Sequence, residues 1–311
     1  MTVVVDPSDT AATLRRRLFQ GDIVVLTRLP GVRALAEHTR EQLADLFAPH
    51  DPQRAHEYYN PSELASMLGR WKPQFIHSRR AGELVREIIV QAGFLADRSF
   101  YDAPKPRTSF PQGHLTTGVA FAFPWHRDVW YGAPAQQVNW WLPVFDVLPD
   151  NAMYFDPPFF AREVPNDSET FDYYRHNAGR AHTARQVTHE TQPRPRALDH
   201  TADHPLTVLP STGAVMLFSG AHLHATVPNT SGRARFSVDF RTVDSDDLHS
   251  GSGAPLVDVR CTGTAIRDFH NVTTHNTLSE RTVIELFGQP PVDAMLVYDP
   301  ELQGDTTAGR G

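Results

Sequence analysis

The hydrophobic pattern changes character near Tyr101, and that change limits the architecture more than any single motif. Before it, apolar residues recur at helical spacing. Residues 9–20 predict a short helix capped by Ser8 or Asp9 and ended by Gly21. In 32–47, Val32, Leu35, Ala36, Leu43, Leu46 and Phe47 form one stripe, and further helices are predicted over 62–71 and 82–95. One β-branched run, 22–29, reads as a strand, followed by a Pro30-Gly31 turn. After Tyr101 the apolar residues alternate in short stretches broken by Gly, Pro and Asn: 107–123, 136–147 and several between 205 and 243. Residues 157–206 are a long irregular segment rich in Pro, His, Arg and Asp, and 278–288 predicts a last helix. Helices in front and many short strands behind predict a mostly-β chain, a jelly-roll or similar double-sheet barrel with the helices against one outer sheet. The expected division is a single domain over 1–300. It comprises a helical front (1–100), a jelly-roll core (101–243) with the 157–206 insertion, and a C-terminal cover (244–300), with a disordered tail at 301–311.

Composition narrows the function classes. The formal net charge of -7 and the lack of a basic tract argue against a nucleic-acid partner. No apolar run approaches the ~18 residues of a membrane span, and the N-terminus is too polar beyond Val5 for a signal peptide. With Cys261 alone, no intrachain disulfide is possible, and a reducing, cytoplasmic setting is expected. Basic residues are almost all arginine; the only lysines are Lys72 and Lys105, so a buried basic anchor is expected to be arginine.

Within FPWHRDVWYG (123–132), His126 and Asp128 are one residue apart. On a strand they project from one face. A third ligand from a distant strand would complete two imidazoles and one carboxylate on one side of a metal, a set that suits non-haem Fe(II). In 221–241, two strands flank the turn residues Pro228 to Gly232. A hairpin folded about Asn229 or Thr230 sets His224 nearly opposite Arg235, so that an imidazole and a guanidinium face one cavity. Ser237 shares that face, and arginine is the residue suited to gripping a carboxylate with two hydrogen bonds.

These stretches together resemble the Fe(II)/2-oxoglutarate-dependent dioxygenases, most nearly the phytanoyl-CoA dioxygenase branch, over about residues 105–243. The resemblance implies a double-stranded β-helix (jelly-roll, cupin-like) core. It implies metal ligands His126, Asp128 and His224, and an arginine eleven residues after the distal histidine, Arg235, that grips the far carboxylate of 2-oxoglutarate. In NWWLPVFDV it implies Trp141 beside the cosubstrate, with Asn139 on the same face and Ser237 as a further cosubstrate contact. The cofactors implied are Fe(II), 2-oxoglutarate and O2. The expected reaction is hydroxylation, desaturation or cyclisation at an unactivated C–H bond of a small metabolite, with release of succinate and CO2.

Several residues compete for these roles. His222 shares a face with His224, and the spacing to Arg235 favours His224. Arg233 and Arg241 are the alternatives to Arg235. His77, His114, His176 and His182 are expected to be exposed or hydrogen-bonded, and core packing is the default for Trp125, Trp130, Trp140 and Trp141. The Arg and His residues of 175–196 are either a solvated loop or an anion-binding element. Two rival readings stay open: a cupin-like metalloenzyme that uses no 2-oxoglutarate, and a non-catalytic jelly-roll binding module. Oligomeric state is not legible.

Overall fold

The computed structural model describes residues 1–184 and 194–296. Strand β1 (Val3–Val5), helix α1 (Ala11–Phe19) and strand β2 (Ile23–Leu26) open the chain. Helices α2 (Pro30–Phe47), α3 (Pro61–Ile76) and α4 (Arg79–Gln91) follow, then β3 (Ser99–Tyr101), β4 (Lys105–Ser109), β5 (Val138–Pro143) and β6 (Met153–Phe155). Next come α5 (Tyr173–Ala184), β7 (Leu206–Thr207), β8 (Val215–Ser219), β9 (His224–Thr226) and β10 (Arg235–Asp244). The chain continues through α6 (Ser245–Ser250), β11 (His270–Asn271) and α7 (Glu280–Phe287). Among the described residues no helix is long and apolar enough to cross a membrane.

The local chemistry explains the helix ends. Thr10, not Ser8 or Asp9, caps α1. Asn60 and Glu63 close a capping box on α3. Pro30 is the first residue of α2 rather than part of a turn, a position where its missing N–H costs nothing. Helix α3 runs past the expected end at Trp71 and through Pro73 to Ile76.

An eight-stranded sheet has the order β1-β2-β8-β5-β10-β3-β11, with β4 also paired to β10, and it is mixed because β1 and β2 are parallel. A second sheet, β7-β6-β9, has three strands. Alternation along the central strands sorts the two faces. Val138, Trp140 and Leu142 of β5 and Phe236, Val238 and Phe240 of β10 pack with the front helices in the main core. On the other face Ile23, Val25, Trp141, Met216 and Phe218 meet Phe155 of the small sheet in a second apolar cluster. The core is therefore a mixed sheet flanked by helices, with a small sheet across its inner face. The front helices do cover the outer face, as the sequence predicts.

Three expectations about the chain's path change here. The 107–123 run is extended only to Ser109; beyond Pro111 it becomes two short 3-10 turns, with Gln112, Gly113 and Gly118 at positive φ. The segment 157–206 is not wholly irregular, since it holds α5 and ends in β7; residues 185–193 lie outside the described residues, as does the expected tail at 301–311. Finally, His224 and Arg235 are not hairpin partners: β9 pairs with β6, and β10 pairs with β3, β4 and β5. The Asn229 amide donates to the carbonyls of Ser109 and Arg233 at 2.8 Å each, and this holds the chain as it crosses from the small sheet to the large one.

Candidate metal centre

His126, Asp128 and His224 each offer a ligand atom within 4.8 Å of the other two. The histidines face each other across an isolated bridge, exchanging backbone hydrogen bonds at 2.9 Å in both directions. Nδ1 of His126 lies 2.8 Å from the Pro124 carbonyl, and Nδ1 of His224 lies 2.9 Å from that of His222. A carbonyl only accepts, so Nδ1 carries the proton in each ring and Nε2 is left with its lone pair. Those Nε2 atoms are 3.5 and 3.8 Å from the same oxygen of Asp128, Oδ1.

The H-x-D triplet is not on a strand. His126 ends its pairing in the single bridge, and Asp128 begins a 3-10 turn, Asp128–Tyr131. The residue between them explains the break. Arg127 is almost fully buried and donates to Asp258 Oδ2 at 3.2 Å. It also donates to the carbonyls of Phe159 (2.6 Å), Phe160 (3.2 Å), Arg162 (2.8 Å) and Ala221. Asp258 accepts in addition from Trp130 Nε1 at 2.8 Å and the Val164 amide at 3.0 Å. The ligand loop is thus tied to the 157–206 segment and to the C-terminal cover through one buried ion pair. Arg127→Met is expected to destabilise the fold by about 3–5 kcal/mol, because Asp258 then stays buried without its counter-charge. Adding Asp258→Asn should restore part of the loss. Thermal melts of the single and double variants check this, and a wild-type melt for Arg127→Met would refute the anchoring role.

Burial opposes the charge of Asp128, yet the carboxyl is held below its usual range by its polar surroundings, the positive charge of Arg241 among them. Burial pushes His224 down to about 3, so it is a neutral imidazole at physiological pH. An ionised carboxylate and a neutral imidazole are the states that bind a cation. Aromatic rings close the surroundings: Phe123 stacks on His126 at 4.9 Å, Phe155 on His224 at 6.0 Å, and Phe218 meets His224 edge-on at 5.2 Å. His222, the competitor of His224, is buried with its ring nitrogens 3.1 and 3.0 Å from the carbonyls of Ser219 and Gly21, turned away from the group of three.

A polar strip leads away from the triad along the inner face of β10. Arg107 pairs with Asp239 through two bonds, 3.0 and 3.1 Å. Arg241 reaches Asp239 at 3.3 Å and Asp102 at 3.2 Å, and Lys105 also pairs with Asp102. Those charges satisfy one another. Arg235 does not share in this: its Nε and Nη1 are buried without a hydrogen-bond partner, as is the Ser237 hydroxyl. The Arg235 guanidinium lies over the Trp141 ring at 5.6 Å. Trp141 is two residues from Asn139 on β5, and Asn139 bonds Asp128 at 2.8 Å. By strand rise Trp141 lies about 7 Å along β5 from Asn139, and the Arg235 side chain reaches that tryptophan from further along β10. Arg241 is committed to its carboxylates, and Arg233 lies on the exposed turn.

The expectation that buried basic anchors are arginine holds only in part, since both lysines are partly or wholly enclosed here. Lys72, on α3, is buried and donates to the Val119 carbonyl; burial pushes it down to about 7, and it feels the charges of Arg107, Asp239 and Arg235. Burial likewise pushes Lys105 down to about 8. Their scarcity was the one sequence signal that could have marked them. Gln137 was also missed; its amide bonds Asn139. Of the 175–196 run, Arg194 stacks over Phe121 at 4.1 Å and Phe123 at 5.7 Å, while much of the rest falls outside the described residues. Trp130 and Trp140 are core residues, Trp125 packs edge-on to His200, and His114 is hydrogen-bonded to the Tyr59 carbonyl.

No protein-family profile matches the chain, and no curated protein matches it in sequence. Among solved structures it is similar to EvdO2 from Micromonospora carbonacea var. aurantiaca complexed with 2-oxoglutarate, at 12% identity and a TM-score of 0.44 over 76% of this chain and 92% of that one. It is similar to the non-heme monooxygenase ThoJ at 15% identity and 0.42, over 68% and 70%. It is also similar to SnoK, a non-heme alpha ketoglutarate dependent carbocyclase from nogalamycin biosynthesis, at 16% and 0.39, over 80% and 96%. Likenesses this distant leave the chemistry of the site to its own geometry.

Proposed function

We propose that the protein is an Fe(II)- and 2-oxoglutarate-dependent oxygenase acting on a small molecule, built as one double-stranded β-helix domain. The observation that carries this reading is the presence of a two-histidine, one-carboxylate group together with a buried arginine on the inner face of β10, two of whose nitrogens lack a hydrogen-bond partner. The donor set fits ferrous iron: two imidazoles and one carboxylate leave further positions open, and nitrogen and oxygen donors suit that ion. The orphaned Arg235 nitrogens and Ser237 hydroxyl fit a carboxylate, because an unpaired buried guanidinium is costly until an anion meets it.

His126, Asp128 and His224 would hold the metal. When bound, iron and 2-oxoglutarate supply the oxidising power that inserts one atom of O2 into a C–H bond, the other going to succinate as CO2 leaves. The remaining work belongs to the chain. Arg235 takes the far carboxylate of the cosubstrate in a two-bond fork, with Ser237 donating beside it and Trp141 as the flat wall behind the guanidinium. Phe123, Phe155 and Phe218 exclude water from the ligand side of the histidines. With Asp128 present as the anionic ligand, the outcome is hydroxylation or a related desaturation or cyclisation.

The test is a screen of small metabolites for substrate-dependent succinate release with Fe(II), 2-oxoglutarate and ascorbate. It is preceded by an anaerobic titration of the Fe(II) protein with 2-oxoglutarate, followed by visible charge-transfer absorption. A saturable band is expected. Metal binding without that band would favour a cupin-like enzyme that dispenses with 2-oxoglutarate, and no metal binding at all would leave only a binding module.

A further inference from the structure

We infer that Asn139, aimed by Gln137, holds Asp128 as a one-oxygen ligand to the divalent metal of the triad; the inference rests on the metal reading above. The two oxygens of Asp128 have different surroundings. Oδ1 faces the Nε2 atoms of His126 and His224. Oδ2 faces the other way and accepts from Asn139 Nδ2 at 2.8 Å, with Gln137 Nε2 at 3.4 Å. A carboxylate only accepts, so the Asn139 amide must present its nitrogen to Asp128 and its oxygen elsewhere. That oxygen accepts from Gln137 Nε2 at 2.8 Å. The result is a directional chain, Gln137 to Asn139 to Asp128, in which each amide orients the next. Both amides are buried, at 3% and 4% exposure, so water does not compete for these bonds.

Gly220 leaves room for the chain: a Cβ there would stand 3.3 Å from Gln137 Nε2 and 3.5 Å from the Asp128 Cβ. Asn139 thereby has a different task from contacting the cosubstrate. A carboxylate that turned to offer both oxygens would occupy a position that a chelating keto acid and O2 need. Tying down Oδ2 keeps that position open.

The experiment uses Co(II) alone as probe on the full chain. Calorimetry gives its affinity, and infrared difference spectra between metal-loaded and metal-free protein give the separation of the two carboxylate stretches. That separation is wide for one-oxygen ligation and narrow when both oxygens bind. For Asn139→Ala we expect Co(II) affinity to fall about tenfold or more, the usual scale for partners of metal ligands, and the separation to narrow. Gln137→Ala should move both readouts the same way by less, and it carries the test if Asn139→Ala does not fold. Unchanged affinity and an unchanged separation in the folded variants would overturn the inference. So would a loss of metal-free stability alone, since that would make Asn139 a packing residue. Should wild type take up no Co(II), or Asp128→Ala bind it as wild type does, the triad reading fails and the clamp fails with it.

Discussion

Asp128→Ala is expected to abolish detectable 2-oxoglutarate turnover and to weaken binding of a divalent metal by well over the ~10–100-fold typical of losing a ligand's hydrogen-bond partner. The carboxylate is the anionic member of the group, and its Oδ1 is the atom that both histidine Nε2 positions face. Without it, two imidazoles remain on one side of an open space, too few to hold iron against water. The change also strips the Asn139 amide of its acceptor at 2.8 Å, which leaves a buried donor unsatisfied at a cost of about 1–3 kcal/mol. Calorimetric titration of Fe(II) under anaerobic conditions, beside a melt of the metal-free protein, separates the two effects. A variant that binds iron as tightly as wild type and still releases succinate would remove Asp128 from the centre.

Arg235 supports the second large effect. Burial pushes its guanidinium down to about 10, and two of its nitrogens lack any partner. Arg235 is therefore a buried cation with part of its hydrogen-bonding capacity unused and its guanidinium set over Trp141. Arg235→Lys keeps the charge but loses the fork, and the Kd for 2-oxoglutarate should rise about tenfold or more, roughly 1.4 kcal/mol. Arg235→Met removes the charge as well and should raise the Kd by about 100-fold or more. At the same time its apo melting temperature should equal or exceed that of wild type, since an apolar side chain replaces an unpaired ion. Metal affinity should be unchanged in both, because neither variant touches a ligand. The opposite signs of the binding and stability effects are the signature of a residue kept for a ligand. If Arg235→Met melts lower and binds 2-oxoglutarate as wild type does, the arginine is structural and the carboxylate anchor lies elsewhere on the strip.

The sequence alone determined the elements with strong local causes. The stripes of α2 and α4 and the period-two run of β5 follow from 3.6- and 2-residue repeats that any burial must respect, and the structure keeps them. Residue types with few alternative uses, an H-x-D triplet and a later histidine followed by an arginine, are enough to nominate the members of the proposed site, and the fold brings His126, Asp128 and His224 together. What joins those members was decided only in three dimensions. His224 and Arg235 do not share a hairpin; they belong to different sheets. Asp128 reaches its place from a 3-10 turn pinned by the Arg127–Asp258 pair, whose halves are far apart in sequence. Strand pairing is a long-range choice among many similar alternating runs, and a buried ion pair has no local period to betray it. For the same reason the task of Asn139 was hidden: an amide two residues from a tryptophan on a strand looks like any core polar residue. Only the packing that brings Gln137, Asn139 and Asp128 into one chain of hydrogen bonds makes it a partner of the proposed metal ligand.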